Sequence, residues 1–532
     1  LSCAYHLLSQ GKATGLYFAL PTQTTSNRIH LRVHEFIERI APGAPETQLI
    51  HGTSWLHRNL YNPEIKEEYG EKSPYRGVSW FASSKRALLS HFGVGTVDQA
   101  LLGIVPVKHW FVRRFALAGK VVIIDEVHSY DMYTGTLIKA LCDELVAIGC
   151  TVILLSATLL PSLRNRFLNG SDDIETNDYP LITGKPFQCP SCITPVPARS
   201  DSKPPVRVLF KPSDSMMNDA VNLALKGARI LWVCNTVNQA QTVYKQLSKL
   251  VQEKPVDIGL LHSRFPFFKR DQLEETWLER FGHGSISPNG CILVSTQIVE
   301  QSVDIDADLL ISELAPMDML LQRIGRLWRH LLKRPPASRP VDDAQIWVIE
   351  EPCGFPFFLD ASAEHIIKEL GPKGRVYFPY VLLRTLKTLK ESVESIQLPN
   401  DIRSLLKETY KPLDAEPEAW QSLYEEAYGE EKAKERVADY NSRIWNKIEL
   451  EDVEGRSTRL ITLETRSLVL IREMTIDRIV LLNGETVPSV FSRFSINDAR
   501  TIHRNIVKVH DWPFSGQPEP SPFNNYVKET HQ

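Results

Sequence analysis

The sequence predicts two parallel α/β domains in tandem, followed by a helical stretch and a small mixed domain. Three observations predict it. Short β-branched runs alternate with amphipathic stretches over the first 200 residues, that rhythm restarts after a polar, proline-rich break at 195–205, and the texture turns charged and helical beyond 350. Apolar runs of this kind need both faces covered, which helices on either side of a parallel sheet supply. At 532 residues the chain exceeds the roughly 100–200 usual for one domain, so about three folding units are expected.

The elements follow in order. Residues 1–9 read as a helix, and 15–20, 120–124 and 151–155 as buried strands of the first domain, 1–200. In the second, 201–350, strands are expected at 206–210, 229–233, 258–261 and 291–294, and 346–349 closes its sheet after the breaker at 334–340. Residues 351–447 read as a helical linker whose Glu425-Glu426 and 430–435 runs form a solvated face. Strands at 458–470 and 478–482, and a loop at 515–522, build a C-terminal accessory domain, 448–532.

The 61 basic residues nearly balance 64 acidic ones, so no global positive field announces nucleic acid, and any binding must come from a local groove. Eight scattered cysteines, several in apolar runs (Cys150, Cys234, Cys291), suit a reducing, cytoplasmic setting rather than a disulfide framework. Cys189-Pro-Ser-Cys192 has metal-ligand spacing but no second pair accompanies it, so zinc is not expected. No apolar run approaches the roughly 18 residues that span a bilayer, and no membrane association is expected.

The strongest chemical signal is Val121-Val-Ile-Ile-Asp125-Glu126, an apolar strand running into adjacent carboxylates. At the carboxyl edge of a parallel sheet such residues project into the ligand crevice. There Asp125 can hold magnesium, usually through water, while Glu126 orients and deprotonates an attacking water. A neighbouring strand ends in Ser156-Ala157-Thr158, short hydroxyls suited to relaying a change at a phosphate; a turn or cap is the plainer reading.

Gln322-Arg323-Ile-Gly325-Arg326-Leu-Trp-Arg329 spaces three arginines along one side of a predicted helix. Guanidinium forks match the charge that spreads over a transferring phosphoryl group, with Arg326 and Arg329 as the fingers; a solvated cationic face is the alternative. Polar segments suited to gripping a strand by its backbone are Pro21-Thr22-Gln23, Gly95-Thr96-Val-Asp98-Gln99 and Thr296-Gln297, each individually an ordinary cap.

DEVH, SAT and QRIGRLWRH, in this order on two α/β halves, resemble motifs II, III and VI of superfamily 2 DExH helicases. Phe18-Ala-Leu-Pro-Thr-Gln23, Ile50-His-Gly52, Val94-Gly-Thr-Val-Asp-Gln99, Asp125-Glu-Val-His-Ser-Tyr-Asp131, Cys234-Asn-Thr-Val237, Leu261-His-Ser-Arg-Phe265 and Ser295-Thr-Gln-Ile-Val-Glu-Gln-Ser-Val-Asp304 are similar to the CRISPR-associated helicase–nuclease of type I systems. The likeness is dense to about residue 335 and looser through Ser457-Thr-Arg459. It implies two RecA-like domains and a 3′-to-5′ single-stranded DNA translocase driven by ATP and Mg2+. It also implies recruitment by an RNA-guided, Cascade-type surveillance complex and supply of DNA to an HD nuclease.

Carried onto this sequence, Gln322, Arg326 and Arg329 act with Asp125 and Glu126 on ATP, and His128, Asp304, Arg323 and Gly325 also face the nucleotide. Asn235 and Thr236 join the DNA side with Thr296, Gln297, Asp98 and Gln99. Trp328 and the extra leucine before Pro161 depart from the family pattern, and both are expected near the surface of their motifs. No Gly-x-x-x-x-Gly-Lys-[Ser/Thr] occurs, Gly11-Lys12 lacks the rest of it, and His510-Asp511 is a lone dipeptide. The phosphate loop and the nuclease are therefore expected upstream of Leu1, and residues 1–532 alone are expected not to turn over ATP. The rival readings are an RNA helicase of the same superfamily and a clamp that binds strands without turnover.

Overall fold

The computed structural model describes residues 1–43, 47–54, 84–169, 179–196, 203–282, 289–300, 304–411, 416–443, 450, 457–460, 466–490 and 494–509. The predicted loop at 515–522 and His510-Asp511 lie outside them. The chain divides into two compact units: Leu1–Ala198 with Gln421–Ile461, and Arg199–Trp420 with Thr462–Gln532.

The first unit carries a five-stranded parallel sheet of β1 (Leu16–Leu20), β2 (Gln48–Ile50), β3 (Phe92–Thr96), β4 (Val121–Ile124) and β5 (Thr151–Leu154), in the order β2-β3-β1-β4-β5. β1 and β4 are buried throughout, because Leu16, Phe18, Val121 and Ile123 pack on one face while Tyr17, Ala19, Val122 and Ile124 pack on the other. The chain leaves β1 toward β2 on one side and β4 toward β5 on the other. The two adjacent strands therefore part at a topological switch point, and a crevice opens beyond their carboxyl ends. A β-ribbon of β6 (Leu181–Gly184) and β7 (Cys192–Pro195) follows.

The second unit holds β8 (Val206–Lys211), β9 (Arg229–Val233), β10 (Asp257–Leu261), β11 (Cys291–Ser295), β12 (Leu309–Ser312), β13 (Gln345–Ile349) and β14 (Ser395–Ile396), ordered β10-β11-β9-β12-β13-β8-β14. Its switch point lies between β9 and β12. The run predicted to close this sheet, β13, is instead interior: β8 lies beyond it, and β14 pairs antiparallel with β8 at the edge. Helices from Gly354–Asp360 to Ile402–Tyr410 pack onto the same unit, through Arg384–Glu416 at 2.8 Å and Tyr410 Oη donating to Asp318 at 2.6 Å. The predicted linker is thus divided: most of it belongs to the second unit, while nearly all of the helix Glu418–Asn441 belongs to the first.

The accessory strands are β15 (Arg466–Val469), β16 (Ile471–Met474), β17 (Arg478–Leu481), β18 (Thr486–Pro488) and β19 (Ile506–Val509), with a small core of Ile479, Leu481 and Val487. The strand expected over 458–470 is present only as β15, and 461–465 lie outside the described residues. Ser457–Leu460 is irregular and docks on the first unit, where Tyr133 Oη donates to the Ser457 carbonyl at 2.9 Å. Among the described residues no helix is long and apolar enough to cross a membrane.

Candidate functional site

Asp125 and Glu126 follow β4 directly, at the switch-point crevice. The Asp125 amide donates to the Ala19 carbonyl at 2.9 Å, which extends the strand pairing and fixes where the carboxylate starts. Glu126 has left-handed φ 53° and ψ 44°, a conformation that costs a side-chain-bearing residue roughly 1–2 kcal/mol and marks a site where strain serves a purpose. Burial first, and the Glu126 charge second, push the Asp125 carboxyl up to about 6. Only Oδ1 of Asp125 accepts a hydrogen bond among the described residues, from the Glu126 amide at 2.9 Å. Asp125 and Glu126 are thus two adjacent half-buried carboxylates, the donor type that suits a hard divalent cation.

His128 joins this pair to the third strand end. Its Nε2 lies 3.4 Å from Glu126 Oε2, and its Nδ1 lies 2.9 Å from Ser156 Oγ. A ring protonated on Nε2 donates to the carboxylate and accepts from the serine. The expected relay residues therefore contact the acids through this histidine. Ala157 is exposed and Thr158 buried, and Thr158 Oγ1 has no hydrogen-bond partner among the described residues.

The expected strand-gripping residues are placed unevenly. Thr22 caps the helix Gln23–Ile40, with its hydroxyl accepting from the Thr25 amide, and Gln23 accepts from Thr53 at 2.5 Å. Thr236 likewise caps Val237–Leu250. Gly95, Thr96, Asp98 and Gln99, in contrast, lie in the core. A Cβ on Gly95 would meet the Ile50 carbonyl at 2.0 Å, so this glycine serves close strand approach. Asp98 is engaged internally as well, accepting from Thr458 Oγ1 at 2.6 Å and Arg459 Nε at 2.9 Å.

In the second unit the expected arginine face is not on one helix. The helix Met317–Ile324 ends before Gly325, which caps it with an ordinary αR φ of −58°. Leu327 then bridges to Ala307, and Trp328 adopts a left-handed φ of 45°. Trp328 is 2% exposed, not near the surface as expected, with its indole donating to the Asp308 carbonyl and Arg339 stacked over its ring.

Arg323 is fully buried, and its donors are all used: Nε to Glu300 at 2.7 Å, Nη1 to Ser312 Oγ and the Glu313 carbonyl, Nη2 to Asn235 and Tyr377. Burial opposes its charge, but Glu300 outweighs that and the pKa moves up. No donor remains for a phosphate, so the expected nucleotide contact is a structural hub. Asn235, expected on the DNA side, is spent in the same hub, its amide nitrogen donating to the Leu314 carbonyl at 2.7 Å. Thr296 is 4% exposed, and Gln297 donates to the Asn235 carbonyl and toward Tyr377. Gln322 stands half-buried on the helix. Arg329, in contrast, is 37% exposed and pairs with Asp304, itself 55% exposed, at 3.0 Å. Arg326 reaches the Glu300 carbonyl.

Two buried carboxylates went unnoticed in the sequence. Asp306 and Asp308 are fully buried and bound by Arg334 and Arg339 at 2.8–3.1 Å, and Asp306 also accepts from the Arg329 amide at 2.8 Å. The proline-rich stretch around these arginines reads locally as a breaker. Arg459, reached by the resemblance only at the end of Ser457-Thr-Arg459, lies hundreds of residues from Asp98, and no local signal joins the two. Cys189 and Cys192 are both exposed, at and beside β7, and no cluster of three potential metal ligands occurs among the described residues.

Comparison with known proteins follows the same lines. The family model for the C-terminal part of the CRISPR-associated nuclease/helicase Cas3 matches residues 226–332. The chain is 34% identical over 504 residues to the CRISPR-associated endonuclease/helicase Cas3 of Thermus thermophilus, covering 85% of this chain and 52% of that protein. With the Escherichia coli protein it shares 32% identity over 438 residues, 79% and 47% respectively. The chain thus spans about half the length of these relatives. Among solved structures, T. fusca Cas3 with ATP superposes with a TM-score of 0.76 at 25% identity, over 96% of this chain and 61% of that one. A chain of a pre-nicking CRISPR RNA-guided surveillance complex gives 0.66 at 26% identity, over 97% and 63%.

Proposed function

The chain belongs to the CRISPR-associated nuclease/helicase Cas3 family, and from that premise we propose that its protein is an ATP-driven translocase on single-stranded DNA in a type I CRISPR system. The observation that carries the reading is the acid pair at the β1/β4 switch point, bridged by His128 to Ser156. Glu126 orients the attacking water and takes its proton, and Asp125, through water, holds Mg2+. The ion, when bound, supplies positive charge for the phosphate oxygens. Arg326 and Arg329 supply the guanidinium charge that the transferring phosphoryl group requires, and Asp304 holds Arg329 ready.

Thr22 and Thr236 cap helix N-termini whose amides suit phosphates without reading bases, which accords with a sequence-tolerant track. Translocation 3′-to-5′, recruitment by a Cascade-type complex and delivery of DNA to an HD nuclease are part of the same proposal, supported by the likeness to the named relatives. Residues 1–532 hold no Gly-x-x-x-x-Gly-Lys-[Ser/Thr], so by themselves they are expected not to turn over ATP.

The test is phosphate release by the complete gene product. Stimulation by single-stranded DNA, abolished by Glu126→Gln, is expected. Stimulation by RNA alone points to an RNA helicase, and strand binding with no turnover points to a clamp; either overturns the proposal.

A further inference from the structure

One guanidinium in the first unit touches three of the loops described above. Arg459 Nε donates to Asp98 Oδ1 at 2.9 Å and Nη2 to Asp98 Oδ2 at 3.1 Å, a bidentate grip on the segment after β3. Nη2 also lies 3.3 Å from the Pro21 carbonyl, after β1 and directly before the Thr22 cap. The guanidinium sits over the Tyr130 ring, 5.3 Å from its centroid. Tyr130 in turn donates its hydroxyl to the backbone carbonyl of Asp125 at 3.4 Å.

The short segment that carries Arg459 is itself fastened to the unit. Thr458 Oγ1 donates to Asp98 at 2.6 Å, and the Ser457 and Thr458 carbonyls accept from Tyr133 and Thr134. The ends of β1, β3 and β4 thus share a single side chain, and local sequence connects none of them to it.

We propose that Arg459 is a positioning residue that couples strand binding to ATP hydrolysis, by tying the Pro21 and Asp98 loops to the Tyr130–Asp125 backbone. The inference rests on the translocase reading. A strand that shifts the Pro21–Thr22 turn must move the guanidinium, and the guanidinium is held against the ring that steadies Asp125. Arginine suits this task because its planar fork grips a carboxylate with two donors, reaches a carbonyl and stacks on an aromatic face at once. Lysine offers a point charge that can pair with Asp98 but cannot do all three.

The experiment compares ATP turnover of the complete gene product with and without single-stranded DNA, alongside thermal melting. For Arg459→Ala the ratio of stimulated to basal turnover is expected to fall about ten-fold, with the KM for ATP changed less than about two-fold. A ratio equal to wild type, or basal and stimulated rates falling together, overturns the proposal. Should Arg459→Ala melt early, Arg459→Lys decides, because it keeps the half-buried positive charge: partial stimulation supports the coupling role, and full stimulation overturns it. A wild-type protein with no DNA-stimulated turnover overturns the translocase reading and this inference with it, whereas a stimulated wild type with an equally stimulated Arg459→Ala overturns the inference alone.

Discussion

Replacing Arg323 by alanine separates two roles that one motif carries. The side chain is fully buried, and its partner Glu300 is 5% exposed at 2.7 Å. Removing one member of such a pair strands the other charge in a dry site, at a cost of roughly 3–5 kcal/mol. Asn235, Ser312 and Tyr377 lose donors at the same time, so the upper part of that range is the better estimate. For a unit of this size each kcal/mol moves the melting midpoint by roughly 2–4 °C, so a drop of about 8–20 °C is expected.

Arg329→Ala is the control. It removes a pair whose members are 37% and 55% exposed, which is worth roughly 0–1 kcal/mol, so the midpoint should move less than about 4 °C while ATP turnover collapses. Differential scanning calorimetry on the complete gene product reads both, with the affected transition followed separately because several units need not melt together. An Arg323→Ala protein that melts within about 2 °C of wild type but no longer binds ATP refutes the argument, and makes Arg323 a nucleotide ligand after all.

Other expectations are as direct. Glu126→Gly should raise the melting midpoint by a few degrees, because glycine relieves roughly 1 kcal/mol of left-handed strain, while phosphate release disappears. His128→Ala and Ser156→Ala should each lower unwinding more than ATP hydrolysis, and the double variant should be no worse than the poorer single, since the ring joins one acid to one hydroxyl; additive losses in a strand-displacement assay would show separate roles. Gly429→Ala, in the exposed middle of Glu418–Asn441 with nothing within 4 Å of the added carbon, should stabilise by about 1 kcal/mol in a denaturation series. Gly95→Ala should fail to give soluble protein, since its carbon would collide with the Ile50 carbonyl.

The central strands of the two sheets and the acid pair were legible because their signal is local: four buried aliphatic residues followed by two carboxylates need no distant partner to be read. The edge strands β2 and β14, and the glycine-bearing β3, carry no such run. The geometry of the arginine motif was misread. Spacing alone cannot show that the helix stops at Ile324, because a buried Trp328 and the Ala307 bridge turn the chain. Burial separates Arg323 from Arg326 and Arg329, and burial is set by residues as far off as Tyr377. Asp98 and Asn235 were read as surface groups for the same reason: polar side chains look outward in a sequence until a distant arginine claims them.

The short antiparallel strand β14 has a practical consequence. β8 would otherwise present an open row of amides and carbonyls, a ready template for another chain, and Ser395–Ile396 blocks it. A protein trimmed at residue 350, where composition suggests a boundary, loses that cover together with Tyr377. Such a truncation should aggregate during purification, whereas one carried through Trp420 keeps its edge sealed and Glu416 beside Arg384, and should stay monodisperse.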